Sequence, residues 1–222
     1  MYSAYDKIRS FLFRLMDVKM GTESKRLEYF SSFLSGHKAD SILDLGCGKG
    51  LLFEHFEKSN KRRLLVGADL TKEHGKNYHH IVADATKLPM RSSVFSFVTA
   101  FSLLEHIPES RRDNFSEEAR RVINSHGILT IQLPNRYFVI ESHTFIPFFG
   151  FLPVRMHSFA YRGSYVAVPS LKNVIRLLKN HRFQITRIRT YGGLFLPFGD
   201  LLNRIGLYRL LPMGYIIEAR PT

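Results

Sequence analysis

Tryptophan is absent from the 222-residue chain, and cysteine occurs once, at Cys47. A single thiol cannot close an intrachain disulfide, so packing and hydrogen bonds must hold the fold, and a reducing compartment is expected. Uncharged apolar runs of the ~18 residues a membrane-crossing helix needs are also missing. Near the N-terminus Asp6, Arg9, Arg14 and Asp17 interrupt any apolar stretch, so a secretory leader is not expected. The scarcest feature is negative charge in the second half. Residues 136–222 hold 12 basic side chains against Glu141, Asp200 and Glu218, a net of +9, whereas residues 1–135 net +4. That imbalance serves either solubility or an anionic partner: a phosphorylated substrate, an acidic membrane surface or nucleic acid.

What is present argues for a globular chain. Hydrophobic residues make up 45% and charged residues 23%, enough to bury a core and too apolar for disorder. The length suits one domain of ~150 residues with an elaboration. Short apolar runs suited to buried parallel strands fall at Ser41–Leu45, Leu64–Asp69, Ile81–Asp84, Val94–Phe101 and Gly127–Leu133. Helical spacing separates several of them. Residues 22–36 carry Leu27, Phe30 and Leu34 after Thr22, and residues 109–124 carry Phe115, Ala119, Val122 and Ile123 with Arg120 and Arg121 late. Alternating β and α predicts a parallel sheet with helices on both faces. Farther on, a helix is expected over 169–181, opened by Pro169-Ser170, then strands at Phe183–Arg189 and Tyr215–Arg220. No crossover helix fills 190–214, so these two strands are expected to be antiparallel neighbours.

The chemistry concentrates after the first strand. Asp44-Leu-Gly46-Cys47-Gly48-Lys-Gly50 leads into a helix from Leu51 to about residue 58. Glycines there let the chain turn sharply and a ligand approach the backbone. Asp69 closes the second strand, where a carboxylate can accept two hydrogen bonds from ribose hydroxyls. The spacing is G-x-G-x-G rather than G-x-G-x-x-G, and Asp44 stands two residues before the first glycine. A carboxylate there suits a ligand with an amino group better than one with a pyrophosphate. Cys47 is read as a small loop residue rather than a nucleophile.

These segments resemble the class I S-adenosylmethionine-dependent methyltransferases, in particular the type-11 methyltransferase domain. Ile42–Gly50 is similar to that family's first motif, Gly67–Leu70 to its ribose-binding acid, and Ala83-Asp84-Ala85 before Leu88-Pro89 to the stretch holding the adenine. Phe95–Pro108 and Gly127–Asn135 are similar to its fourth and fifth strands. The resemblance covers about 40–135. It implies a Rossmann-like, doubly wound α/β sheet of seven strands, mostly parallel with the last antiparallel. It also implies S-adenosylmethionine as cofactor. Asp44, Gly46, Cys47, Gly48 and Gly50 would then face the methionine moiety, Asp69 and Leu70 the ribose, and Asp84 and Ala85 the adenine. Phe101 would line the pocket. An acid-rich turn common before the family's fourth strand is replaced here by Ser92-Ser93.

The acceptor is less legible. Methyl transfer from a sulfonium is an in-line displacement, so the protein aligns the acceptor and manages its proton. His106, beside Glu105 after the fourth strand, is a candidate base, as is His143 with Glu141, which face one way if that segment is extended. His157 and Tyr161 are weaker candidates. No cysteine follows the fourth strand for cytosine-C5 chemistry, and no carboxylates cluster there for a metal, so none is expected. Residues 145–154 and 194–202 are very apolar for loops and would cap the substrate or touch a membrane. Ile8, Phe11, Leu12, Leu15 and Met16 form a helical stripe in a lid over residues 1–37, before a cofactor core at 38–135 and substrate-side insertions at 136–168 and 193–214. The expectation is a single-domain, cytoplasmic or peripherally membrane-bound methyltransferase for a small apolar acceptor of lipid, isoprenoid or quinone type, methylated at O or C. RNA, protein, or a non-catalytic role as a partner subunit are the alternatives.

Overall fold

The computed structural model describes residues 40–56, 63–72, 78–138, 151, 166–191 and 212–222, the side chains of 54–56 excepted. Calls over residues 1–37, Glu141, His143, His157, Tyr161 and most of both apolar insertions lie outside them. Among the described residues, seven strands form one sheet in the order β3-β2-β1-β4-β5-β7-β6. They are β1 (Ser41–Leu45), β2 (Leu64–Asp69), β3 (His79–Val82), β4 (Phe95–Phe101), β5 (Ile123–Pro134), β6 (Phe183–Tyr191) and β7 (Gly214–Pro221). β1 to β5 pair in parallel, and β7 runs antiparallel to both β5 and β6, as expected. The helices are α1 (Leu51–Phe56), α2 (Arg112–Val122) and α3 (Leu171–Asn180).

Alternation along the strands divides the core. Leu43, Leu45, Val98, Ala100, Leu129, Ile131, Leu133, Ile217 and Ala219 face the side covered by α2 and α3, where Phe115, Ala119, Val174 and Leu178 meet them. Ile42, Phe97 and Ile128 face the other side, against Leu52 and Phe53 of α1. α2 follows from its sequence: Phe115, Ala119 and Val122 fall on one buried face, and Arg120 and Arg121 sit in the last turn, where cations suit the helix dipole. In α3 the Ser170 hydroxyl accepts from the Asn173 N–H at 3.2 Å, the cap that the Pro169-Ser170 pair announced.

Several boundaries differ from expectation, and three of them have a visible cause. Glu109–Arg111 is a separate 3-10 turn, and α2 starts at Arg112. β3 lies two residues early, at His79–Val82, because Asp84 is spent on a turn that accepts from Thr86. β5 begins at Ile123 rather than Gly127: Ile123 is already extended (φ −79°, ψ 139°) and pairs with Phe95, and the ladder resumes only at Phe97–Ile128. Gly127 permits that excursion, since a Cβ there would lie 2.5 Å from Ile123 Cγ1.

Phe115 is fully buried between α2 and the sheet. Phe115→Ala should cost about 3–5 kcal/mol, read as a lower urea midpoint with unchanged slope.

Candidate functional site

The carboxyl ends of β1, β2 and β4 meet around the loop after Leu45. Gly46, Gly48 and Gly50 all have positive φ, at 70°, 47° and 75°. At Gly46 the glycine is required twice, by the φ and because a Cβ would come 2.9 Å from Leu103 Cδ1. The loop is stitched to β2: the Gly46 and Cys47 N–H groups both donate to Ala68 O, at 2.8 and 3.3 Å, and Gly48 N–H donates to Asp69 Oδ2 at 3.0 Å.

Asp44 sits beneath this loop, 5% exposed, and accepts from the Thr99 hydroxyl of β4 at 2.5 Å. Burial pushes its carboxyl up to about 7; the Thr99 hydrogen bond opposes this and the Asp69 charge adds to it. Asp69 behaves oppositely. Burial would raise it, but the Thr71 N–H, the Gly48 N–H and the Thr71 hydroxyl outweigh that and hold it below the usual carboxylate range. Thr71 occupies Oδ1 twice, at 3.0 and 2.9 Å, and Gly48 occupies Oδ2 once. Of roughly four acceptor positions on a carboxylate, these three hydrogen bonds leave about one.

Asp84 is similarly committed. Oδ1 accepts from the Thr86 N–H and hydroxyl at 2.8 and 2.7 Å, and Oδ2 pairs with Arg111 at 2.9 Å. Burial opposes ionisation there too, and the Thr86 and Arg111 contacts overcome it. Leu70, 72% exposed beside Asp69, offers an apolar shelf, while Ala85 packs on the core and Phe101 against the α1 side. Cys47 is buried, and its thiol is pushed up to about 12 by that burial and by Asp44 and Asp69, so it stays protonated and unreactive.

Glu105 and His106 do not share a face. Glu105 is fully buried, its backbone carbonyl accepting from Ala167 N–H at 2.8 Å, whereas His106 is exposed. No cluster of metal-binding side chains occurs among the described residues.

Sequence reasoning missed three participants. Thr99 interrupts an apolar strand, a signal that could have been followed. Arg111 joins the segment after β4 to the Asp84 turn. Tyr78 stacks on Phe53 with ring centroids 4.6 Å apart and fills the space beside Gly50 and Gly67, where a Cβ would overlap its ring.

The comparisons agree with this geometry. Residues 43–131 match the family described as the methyltransferase domain. A ubiquinone biosynthesis O-methyltransferase of Coxiella burnetii is 28% identical over 149 residues, 61% of this chain and 62% of that one. The chain spans 46% to 62% of the length of these curated relatives. Among solved structures, an S-adenosylmethionine-dependent methyltransferase from Mesorhizobium loti superposes with TM-score 0.58 at 17% identity, covering 81% of this chain and 90% of that one. A 1,6-didemethyltoxoflavin-N1-methyltransferase of Burkholderia thailandensis, with S-adenosylhomocysteine bound, does so with TM-score 0.59 at 12% identity, covering 100% and 92%. Residues 43–131 thus match a methyltransferase-domain family, and the chain shares its fold with proteins that use S-adenosylmethionine.

The residues present fit that cofactor. A buried carboxylate pushed up to about 7 is one that an ammonium group would draw back to the charged form. Because its folded pKa lies above the ordinary 3.8, the fold binds more protons than the unfolded chain between those values. Asp44 therefore favours the fold most below pH ~4, and that contribution is lost as pH rises toward 7. Cofactor affinity should run the other way, rising with pH and levelling above about 7, with about half a proton released on binding near pH 7. Calorimetry of S-adenosylhomocysteine in buffers of different ionisation enthalpy checks this, and Asp44→Asn should abolish the dependence.

Proposed function

We propose that the protein transfers the methyl group of S-adenosylmethionine to an oxygen or carbon of a small apolar acceptor of lipid, isoprenoid or quinone type, working against an anionic membrane surface. The observation that carries the transfer is the glycine loop with Asp44 beneath it and Asp69 beside it, at the strand ends where open α/β sheets bind ligands. The similarity to ubiquinone biosynthesis O-methyltransferases supports the acceptor class.

The cofactor supplies a methyl group already activated on a sulfonium. Asp44 would hold the methionine amino group by charge, Asp69 would accept from the ribose through the remaining position on Oδ2 with Leu70 beside it, and Ala85 would flank the adenine. Asp84, tied to Thr86 and Arg111, keeps acceptor capacity on Oδ2 for the adenine amino group. An acceptor hydroxyl or carbon acid that took up the methyl group would have a proton to lose. Exposed His106 is the described candidate to take that proton; Glu105, buried behind it, supports the segment instead.

Two surface features support membrane contact. Lys172, Arg176 and Lys179 recur at helical spacing on the exposed face of α3, which carries no acidic residue. Past the carboxyl end of β5, Tyr137 and Phe151 are 49% and 60% exposed and pack on each other with centroids 5.4 Å apart. Among the described residues no helix is long and apolar enough to cross a membrane.

Incubation with radiolabelled cofactor should label alkyl-substituted phenols and catechols, and His106→Ala should lower that turnover ~10²–10⁴-fold while S-adenosylhomocysteine binds as before. Labelling of RNA but of no small acceptor would reverse the substrate reading. For the surface, anionic vesicles should sediment the protein, and replacing Lys172, Arg176 and Lys179 by Ala should weaken this by ~1 kcal/mol per charge. Steeply salt-dependent RNA binding with no affinity for vesicles would assign the basic face to nucleic acid instead.

A further inference from the structure

One hydroxyl interrupts the apolar run at the end of β4, and the sheet sets it against a carboxylate. Parallel pairing places Thr99 beside Asp44 of β1, on the face that also carries Ile42 and Phe97. Thr99 is fully buried, so its hydroxyl must find a partner inside the protein. Two acceptors are within reach, Asp44 Oδ1 at 2.5 Å and Leu43 O at 3.4 Å, and the shorter contact takes the proton. The branched Cβ restricts χ1, so the oxygen is delivered at one place. Only half of the carboxylate is used in this way. Among the described residues no group donates to Asp44 Oδ2. Nor is that oxygen sealed in, as the unpartnered Thr130 Oγ1 is, so the 5% of Asp44 left exposed includes it.

The other groups that face Asp44 do not help it to ionise. Asp69, at the end of β2, is ionised and sets a like charge against it. Cys47, in the loop above, stays an uncharged thiol. His80 of β3 is in register with Gly67, which pairs with Asp44, and its electrostatic influence falls on Asp69. β4 carries no titratable side chain, and β5 offers Thr130 beside Thr99. Lys49 in the loop is exposed. Among the described residues, Thr99 is therefore the one partner that favours the charged form of Asp44.

We propose that Thr99 is a positioning residue for the cofactor: its hydroxyl holds Oδ1 of Asp44 and leaves Oδ2 to a ligand ammonium group, so that Thr99 sets both the preference for an aminated ligand and the pH above which that ligand is held. This rests on the reading of Asp44 as the partner of the methionine amino group of S-adenosylmethionine. Thr99 acts through Asp44 and touches no ligand itself. A threonine is suited to the task because its hydroxyl stabilises the anion without neutralising it, whereas a basic residue at 99 would occupy the carboxylate and displace the ligand's cation.

Calorimetry of S-adenosylhomocysteine, and of its analogue lacking the amino group, from about pH 6 to about 8.5 tests the assignment. For the wild-type protein the affinity for S-adenosylhomocysteine should rise and level above about 7, while the deaminated analogue should show no rise. Thr99→Val keeps the shape of the side chain and removes the donor. It should move the rise upward by about one pH unit, leaving binding about fivefold weaker at pH 7 and close to wild type at the top of the range. Thr99→Ser should restore the wild-type midpoint. A merely structural role would lower the affinity equally at every pH and for both ligands. A Thr99→Val protein with the wild-type midpoint, or a Thr99→Ser protein with the valine midpoint, would overturn the inference and leave the cofactor reading intact. A wild-type protein that binds S-adenosylhomocysteine with no pH dependence would remove Asp44 as the amino anchor and this inference with it, and one that does not bind it at all would remove the cofactor reading as well.

Discussion

A carboxylate buried beside a hydroxyl organises the centre of this molecule. Asp44 is taken out of water by the glycine loop above it, and the Thr99 hydroxyl alone is not enough to hold it ionised at neutral pH. Such a group is costly to bury without a cation. The fold accepts the cost by leaving the acid close to its titration point, where an ammonium group brought beside it would settle the charge. Everything around it then has to be rigid. The loop is tied to Ala68 and Asp69, β1 is flanked by β2 and β4, and Leu103 presses on Gly46.

The two faces of the sheet do different work. The face under α2 and α3 is continuous and apolar, with Phe115, Leu129, Ile131 and Ile217 fully buried. The opposite face carries polar residues in register: Asp44 beside Thr99, Thr99 beside Thr130, Thr130 beside Glu218. All four are buried. The first side holds the larger apolar cluster, and the other combines a smaller one with the buried polar groups.

Much of this was legible in the residues. The strands show as apolar runs because both of their faces are buried, and Asp44, Asp69 and the glycines stand out because nothing structural asks for that combination at a strand end. The helix over 109–124 was readable to within a turn, but its junction with β5 was not. Ile123 is as apolar as either element requires, and only the contact with Phe95 decides for the strand. Tyr78 was illegible for a different reason. Its partners Gly50, Phe53 and Gly67 are scattered along the sequence, and no periodicity links an aromatic residue to the glycines that make room for it. Glu105 and His106 were adjacent in sequence, yet the turn after β4 sends them to opposite environments.

The Tyr78 ring occupies the volume that side chains at Gly50 and Gly67 would need, and Cys47 also borders Gly67. These positions share one space, so their histories are bound together. An aromatic ring at 78 forbids a methyl group at 50 or 67, and a chain that lost the ring could admit alanine at either glycine. In a set of divergent homologues the three positions should therefore vary as a unit, with residue volume roughly conserved across them.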